Sequence, residues 1–258
     1  MSNDLCIKDI MSKPVTIAKS ALITEALDKM LEQGIDPLIV VNNGSVVGMV
    51  SRRNLAEKLG TRRNSDIAPT SIHVANTMDE DFTTVYPDED LDVLIPLLQT
   101  YKTVVVYDTE HRLIGQVSSG DLLKVVRPTG SADEVMEAAC TIDAEERVVH
   151  LRRRMLDDGI LRFVVTENEL MVGIVTETDV AVAMRNFRET VEDKHQDHRI
   201  RNLLVRDIMT SPVLSVDRGT DVGEIIDMME KKNISSMPVT DQGRLCGMVT
   251  RYSLISAL

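Results

Sequence analysis

One short pattern occurs four times in this chain, and it confines the fold to something built by repetition. The pattern is a glycine, two strand-forming residues and a hydroxyl: Gly48-Met49-Val50-Ser51, Gly115-Gln116-Val117-Ser118, Gly173-Ile174-Val175-Thr176 and Gly247-Met248-Val249-Thr250. Upstream of each glycine stands a methionine, Met11, Met78, Met136 or Met209, at separations of 37, 37, 37 and 38 residues. A register kept four times marks a structural repeat.

The hydrophobic periods between these landmarks repeat as well. A β-branched stretch comes first (Val15-Thr16-Ile17, Thr83-Thr84-Val85, Thr141-Ile142, Leu214-Ser215-Val216) and reads as a short strand. A helical pattern follows, clearest in Ile23, Ala26, Leu27, Met30 and Leu31 and in Val222, Ile225, Ile226 and Met229. Next come an apolar second strand (Leu38 to Val41, Val104 to Tyr107, Phe163 to Val165, Met237 to Val239) and a turn such as Asn42-Asn43-Gly44 or Asp241-Gln242-Gly243. The turn implies a hairpin into the glycine-led strand. A second helix is expected to start at Asn54, Asp121, Asp179 or Ser253. The unit is β-α-β-β-α, too small to bury a core alone, so neighbouring repeats are expected to pack as pairs.

Composition narrows the function. Hydrophobic residues at 43% and charged residues at 27% give a globular balance. A net charge of −12 repels nucleic acids and anionic membrane surfaces, and disfavours both as partners. No apolar run approaches a membrane span and the first residues lack a secretory layout, so a cytoplasmic location is expected. Cys6, Cys140 and Cys246 are unpaired in sequence and read as buried, reduced thiols.

The β-α-β-β-α unit, opened by Asp9-Ile10-Met11 or Asp207-Ile208-Met209 and closed by glycine, two apolar residues, a hydroxyl and an acid, resembles the CBS domain. The resemblance covers essentially the whole chain. It is similar to the archaeal four-CBS proteins and to the gamma subunit of AMP-activated protein kinase. It implies an α/β (α+β) fold of four CBS repeats in two tandem pairs (Bateman modules), disc-shaped as a pseudo-dimer. The divisions are repeat one at 1–62, repeat two at 69–127, repeat three at 128–187, a charged linker at 188–202 and repeat four at 203–258.

In that family the hydroxyl three residues after the glycine meets phosphate or ribose, and the acid three residues further on takes the ribose hydroxyls. Repeat two has Ser118 with Asp121 and repeat three Thr176 with Asp179. Repeat one has Ser51 with the uncharged Asn54, and repeat four has Thr250 with Ser253, where the acid is missing. The resemblance also brings Thr16, Thr84 and Thr141 near ligand, with Arg162, Arg52 and Arg251 as partners for phosphate. It implies AMP, ADP or ATP as ligand, with S-adenosylmethionine as the alternative, and a regulated protein partner. A ligand-free interaction scaffold and a homodimer are further readings.

Bland explanations compete. Asp121 and Asp179 could serve only as helix N-caps, worth about 0.5 to 2 kcal/mol, and the four glycines could serve close packing. The run Arg152-Arg153-Arg154 reads as a solvated helix face. His195 and His198, near Asp193 and Asp197, make a weak metal set. The sequence holds no nucleophile elbow, Walker loop or zinc-protease motif, so a non-catalytic protein without a catalytic cofactor or metal is expected.

Overall fold

The computed structural model describes residues 5–59, 71–190 and 202–258. Each repeat forms one three-stranded sheet, in the order first, second, third strand. Repeat one comprises β1 (Thr16–Ala18), α2 (Ile23–Gln33), β2 (Leu38–Asn42), β3 (Ser45–Val50) and α3 (Arg52–Leu59). Repeat two comprises β4 (Thr84–Val85), α4 (Leu94–Thr100), β5 (Thr103–Tyr107), β6 (Leu113–Ser118) and α5 (Ser119–Leu123). Repeat three comprises β7 (Thr141–Asp143), α7 (Val148–Asp157), β8 (Arg162–Glu167), β9 (Leu170–Thr176) and α8 (Glu177–Thr190). Repeat four comprises β10 (Val216–Asp217), α9 (Val222–Lys232), β11 (Ser236–Asp241), β12 (Arg244–Thr250) and α10 (Arg251–Ser256). In every sheet the first strand runs parallel to the second, which pairs antiparallel with the third. The hairpins turn through positive-φ residues such as Asn43-Gly44 and Gln242-Gly243, the backbone that a tight hairpin of this twist requires.

The segment that opens each repeat does not pack on its own sheet. It crosses to the other repeat of the pair. Helix α1 (Ile7–Ile10) lies against repeat two, where the Ile7 amide donates to the Glu89 carbonyl at 3.0 Å and Ile7 is fully buried. The 3₁₀ turn Val74–Asn76 returns the exchange, with the Val74 amide donating to the Ala21 carbonyl at 2.8 Å. In the second pair, α6 (Ala132–Val135) docks on repeat four and the 3₁₀ turn Val205–Asp207 on repeat three.

This exchange explains the methionine–glycine register. Met11 covers Gly115, Met209 covers Gly173 and Met136 covers Gly247, where an added Cβ would lie only 2.7, 2.6 and 2.5 Å from the respective sulfur. At Gly48 the crowding atom is the Asp79 carbonyl, next to Met78. Each landmark glycine thus meets the opening segment of the partner repeat rather than the methionine upstream in its own.

Helix faces are covered across the pairs. One core combines repeats one and three, including Leu27, Met30, Leu55, Leu151, Phe163 and Met184. The other combines repeats two and four, including Leu94, Leu122, Ile225, Met229 and Leu254. A smaller cluster around Ile39, Met49 and Val105 joins the sheets of repeats one and two. The repeats therefore close a ring in the order one, two, four, three, alternating sheet and helix contacts. The expectation that neighbouring repeats pack as pairs holds for the sheets, while the two large cores lie between pairs, because only a repeat of the other pair presents an uncovered helix face.

Near the centre, α2 and α9 end at left-handed residues, Gly34 (φ 64°) and Asn233 (φ 50°). The Asn233 side chain fills the space that a Cβ on Gly34 would need. The three thiols are free, but Cys246 on β12 is exposed and Cys6 and Cys140 are half-buried, Cys140 at the margin of a core, so the buried reading is corrected. The bulk of the charged 188–202 stretch, with His195 and His198, lies outside the described residues, as does most of the join from Leu59 to Ser71.

Replacing Gly247 by Ala forces Met136 to move and is expected to cost about 1–3 kcal/mol. Adding Met136→Ala in the same chain should then cost less than Met136→Ala does alone, a coupling that urea denaturation of both singles and the double measures.

Candidate functional site

The four glycine-led strands end at the residues singled out in the sequence, and the following helices begin there. The helices start at Arg52, Ser119, Glu177 and Arg251, so Asn54, Asp121, Asp179 and Ser253 are third helical residues rather than caps. The hydroxyl before the helix is the cap. In repeat two the Ser118 hydroxyl and amide donate to Asp121 Oδ2 at 2.7 and 2.9 Å. The Asp121 amide donates back to Ser118 Oγ at 3.3 Å. This reciprocal arrangement is a capping box. Thr176 donates in the same way to Asp179 Oδ2, at 2.7 Å from both amide and hydroxyl.

In repeat one the Asn54 amide oxygen takes the acid's place, accepting from the Ser51 amide and hydroxyl at 2.8 and 2.5 Å. In repeat four Ser253 Oγ accepts from the Thr250 amide at 3.0 Å. The local fold needs an acceptor at this position but not a charge.

Two of the arginines cross from one pair to the other. Arg251 of repeat four lies over Gly120 of repeat two, close enough that a Cβ there would sit 3.1 Å from Nη1. Arg52, at the same position in repeat one, reaches Thr178 of repeat three with Nη1 at 3.4 Å and donates from Nη2 to the Met30 carbonyl at 2.9 Å. Its Nε is buried without a hydrogen-bond partner. The repeats with an acid at the third helical position thus face arginines from the repeats without one.

On the side of repeats two and four these groups border a cavity of 310 Å³. Ser118, Asp121, Lys124, Arg251, Glu230 and Asn233 line it, with Leu123, Ile226, Met229 and Leu254 as apolar wall. Burial pushes the Arg251 guanidinium below its ordinary value against the pull of Asp121 and Glu230, and Arg162 adds like-charge repulsion. Arg162 is anchored nearby, Nη1 donating to the Ser235 carbonyl at 3.2 Å. Among the described residues Arg251 has no salt bridge, so a desolvated cation faces a cavity of a size suited to a small ligand.

The matching void between repeats one and three is only 20 Å³, bordered by Arg53, Arg152, Glu177, Met155, Leu161 and Val180. There α8 packs closely on α3, and Lys102 holds Asp36 at 2.9 Å and Glu177 at 3.3 Å. Burial lowers the Lys102 ammonium, but the two carboxylates outweigh it and leave it raised.

Other candidates have structural positions. Thr16 lies at the start of β1, its carbonyl held by Lys29 Nζ at 2.8 Å. Thr84 and Thr141 are exposed first-strand residues, and the Thr141 carbonyl accepts from Arg154 Nη1 at 2.9 Å. Arg154 also stacks 4.6 Å from the Phe163 ring centroid, and Arg153 pairs with Asp157 along its helix. Two groups escaped the sequence reading: Asp79, whose Oδ2 accepts from Asn54 Nδ2 at 2.9 Å, and Glu137, whose Oε1 accepts from the Thr250 hydroxyl at 3.0 Å. Both directly follow a landmark methionine, a position the repeat alignment would have exposed had it been read one residue further. Among the described residues no group of His, Cys, Asp and Glu could hold a metal ion, and no helix is long and apolar enough to cross a membrane.

Asp179 gives a direct test of charge against capping. Burial raises its carboxyl pKa, against the hydrogen bonds from Thr176 and Thr210. A raised folded-state pKa means that ionised Asp179 lowers stability above the carboxylate range, and that this cost fades as pH falls and the group takes up a proton. Asp179→Asn keeps the acceptor, as Asn54 does, so its melting temperature near neutral pH is expected to match or exceed that of the original chain, with the difference shrinking toward pH 4. Thermal melts across pH check this.

The CBS domain family matches at residues 7–61, 72–128, 132–186 and 205–258. Protein MJ1225 of Methanocaldococcus jannaschii is 24% identical over 264 residues, covering 94% of each chain. A 33.4 kDa protein of the ribosomal RNA operon of Thermofilum pendens is 26% identical, over 85% of this chain and 79% of its own. The crystal structure of MJ1225, described as that of a proposed archaeal homologue of g-AMPK, superposes with a TM-score of 0.82 at 22% identity, covering 98% of this chain and 99% of that one. An uncharacterised conserved protein of Pyrococcus horikoshii superposes over the same shares, with a TM-score of 0.64 at 21% identity. With four matches that together span most of its length, the chain belongs to the CBS domain family, whose members are generally regulatory.

Proposed function

We propose that this protein is a non-catalytic sensor of adenine nucleotides (AMP, ADP or ATP), acting in the cytoplasm on a protein partner. The observation that carries this reading is the cavity in which Ser118 and Asp121 of one pair meet Arg251 of the other. The carboxylate can accept both hydroxyls of a ribose, and the unpaired guanidinium supplies a charge-assisted partner for phosphate. Apolar Ile226, Met229 and Leu254 give an aromatic base a dry wall. The description of MJ1225 as a proposed g-AMPK homologue supports the same reading.

Because the site draws on repeats two and four, its occupant would touch both pairs at once. A ligand that binds one relative placement of the pairs better than another shifts the balance between them by that difference. Regulation of the partner would follow from this shift.

Calorimetric titration with AMP, ADP, ATP and S-adenosylmethionine tests the proposal. Nucleotide at one hundred times its dissociation constant should add about 2.7 kcal/mol of stability per site. Arg251→Ala should weaken AMP at least about tenfold, the scale of one charge-assisted hydrogen bond, while leaving adenosine nearly unchanged. Preference for S-adenosylmethionine, with no effect of Arg251→Ala or Arg162→Ala, would favour the alternative ligand. No binding of any of the four would leave the scaffold reading.

A further inference from the structure

The residue after each landmark methionine is carried by the exchanged segment to the glycine-led strand and helix start of the partner repeat. Its chemistry alternates with that of the partner repeat's third helical residue. Repeat two has Asp121 and receives Ser12, which bonds the Gln116 carbonyl at 3.2 Å. Repeat three has Asp179 and receives Thr210, whose hydroxyl donates to Asp179 Oδ1 at 3.3 Å. Repeat one lacks the acid and receives Asp79, on Asn54 Nδ2 at 2.9 Å. Repeat four lacks it too and receives Glu137, on the Thr250 hydroxyl at 3.0 Å.

We infer that all four clefts keep a carboxylate for a ligand diol, supplied by the repeat itself in repeats two and three and by the exchanged partner segment in repeats one and four. Asp79 and Glu137 are then the diol-binding groups of the two clefts that lack the acid in their own motif. The inference rests on the nucleotide reading above, and it names the ligand feature as a vicinal pair of ribose hydroxyls. Asp79 and Glu137 are exposed, and each carboxylate has an oxygen beyond the one already bonded. A carboxylate accepts through two oxygens, which matches two neighbouring O–H donors. Fixing the exchanged segments would not need this choice, since Ser12 and Thr210 occupy the same position with hydroxyls.

The test uses the full chain with Asp121→Asn and Asp179→Asn, which leaves carboxylates only in the clefts of repeats one and four. AMP is titrated by calorimetry, with 2′-deoxyadenosine monophosphate as the diol probe and thermal melts as the check on folding. The expected result is that this background still binds AMP, with fewer sites than the original chain, and that 2′-deoxyadenosine monophosphate binds it at least about tenfold more weakly. Adding Asp79→Asn or Glu137→Gln should remove one further class of site, and adding both should remove the preference for the intact diol. If the original chain binds AMP but the background does not, or if Asp79→Asn and Glu137→Gln leave binding and diol preference unchanged, the inference is overturned. If the original chain binds no adenine nucleotide, the sensor reading fails first. Should Glu137→Gln lower the melting temperature below the assay range, the Asp79→Asn arm decides alone.

Discussion

Each repeat sets two amphipathic helices on one side of a three-stranded sheet, and the apolar faces of those helices are covered by a repeat of the other pair. Leu27 and Met30 of α2 and Leu55 of α3 share a core with Leu151, Phe163 and Met184. Leu94 and Leu122 share one with Ile225 and Leu254. Burial of full-sized side chains of this kind contributes about 1.5–3 kcal/mol each, against a chain entropy that no single repeat could offset. The candidate site depends on this arrangement, because the arginines reach the acids across the same helix interface.

The two helix interfaces differ. Between repeats one and three a long α8 lies along α3 and the intervening void nearly vanishes. Between repeats two and four α5 is a single short helix of 5 residues, and the space opens to 310 Å³. The packed face carries the longer helices α3 and α8 and the open face the shorter α5 and α10, although the strands and caps at both faces follow one plan. The central ion group of Lys102, Asp36 and Glu177 reinforces the packed side by drawing three repeats together.

The fold was largely legible in the sequence because it is written four times: one ambiguous strand such as Thr84–Val85 is resolved by its three counterparts. The turn residues Asn43-Gly44 and Gln242-Gly243 announced their hairpins through their backbone preference. What periodicity could not reveal was which partner covers each face. Ile7 and Val74 look like ordinary core residues of their own repeats, yet each is buried in the other. The same limit applied to the site. Ser118, Asp121 and Arg251 were each identifiable, but their meeting around one cavity follows from long-range packing. Asp79 carried no signal of its own in the sequence because its partner, Asn54, lies 25 residues away.

The exchange of opening segments closes within each pair, whereas the helix faces close only between pairs. A single pair would therefore have its backbone hydrogen bonds satisfied and its apolar surface unfinished, which is the condition of an obligate dimer. Joining two pairs in one chain replaces a bimolecular encounter by an intramolecular one, at an effective concentration set by the connecting segment rather than by expression level. The architecture is thereby freed from mass action. It also allows the two halves to diverge, since identical halves of a symmetric dimer could not carry Asn54 in one and Asp179 in the other.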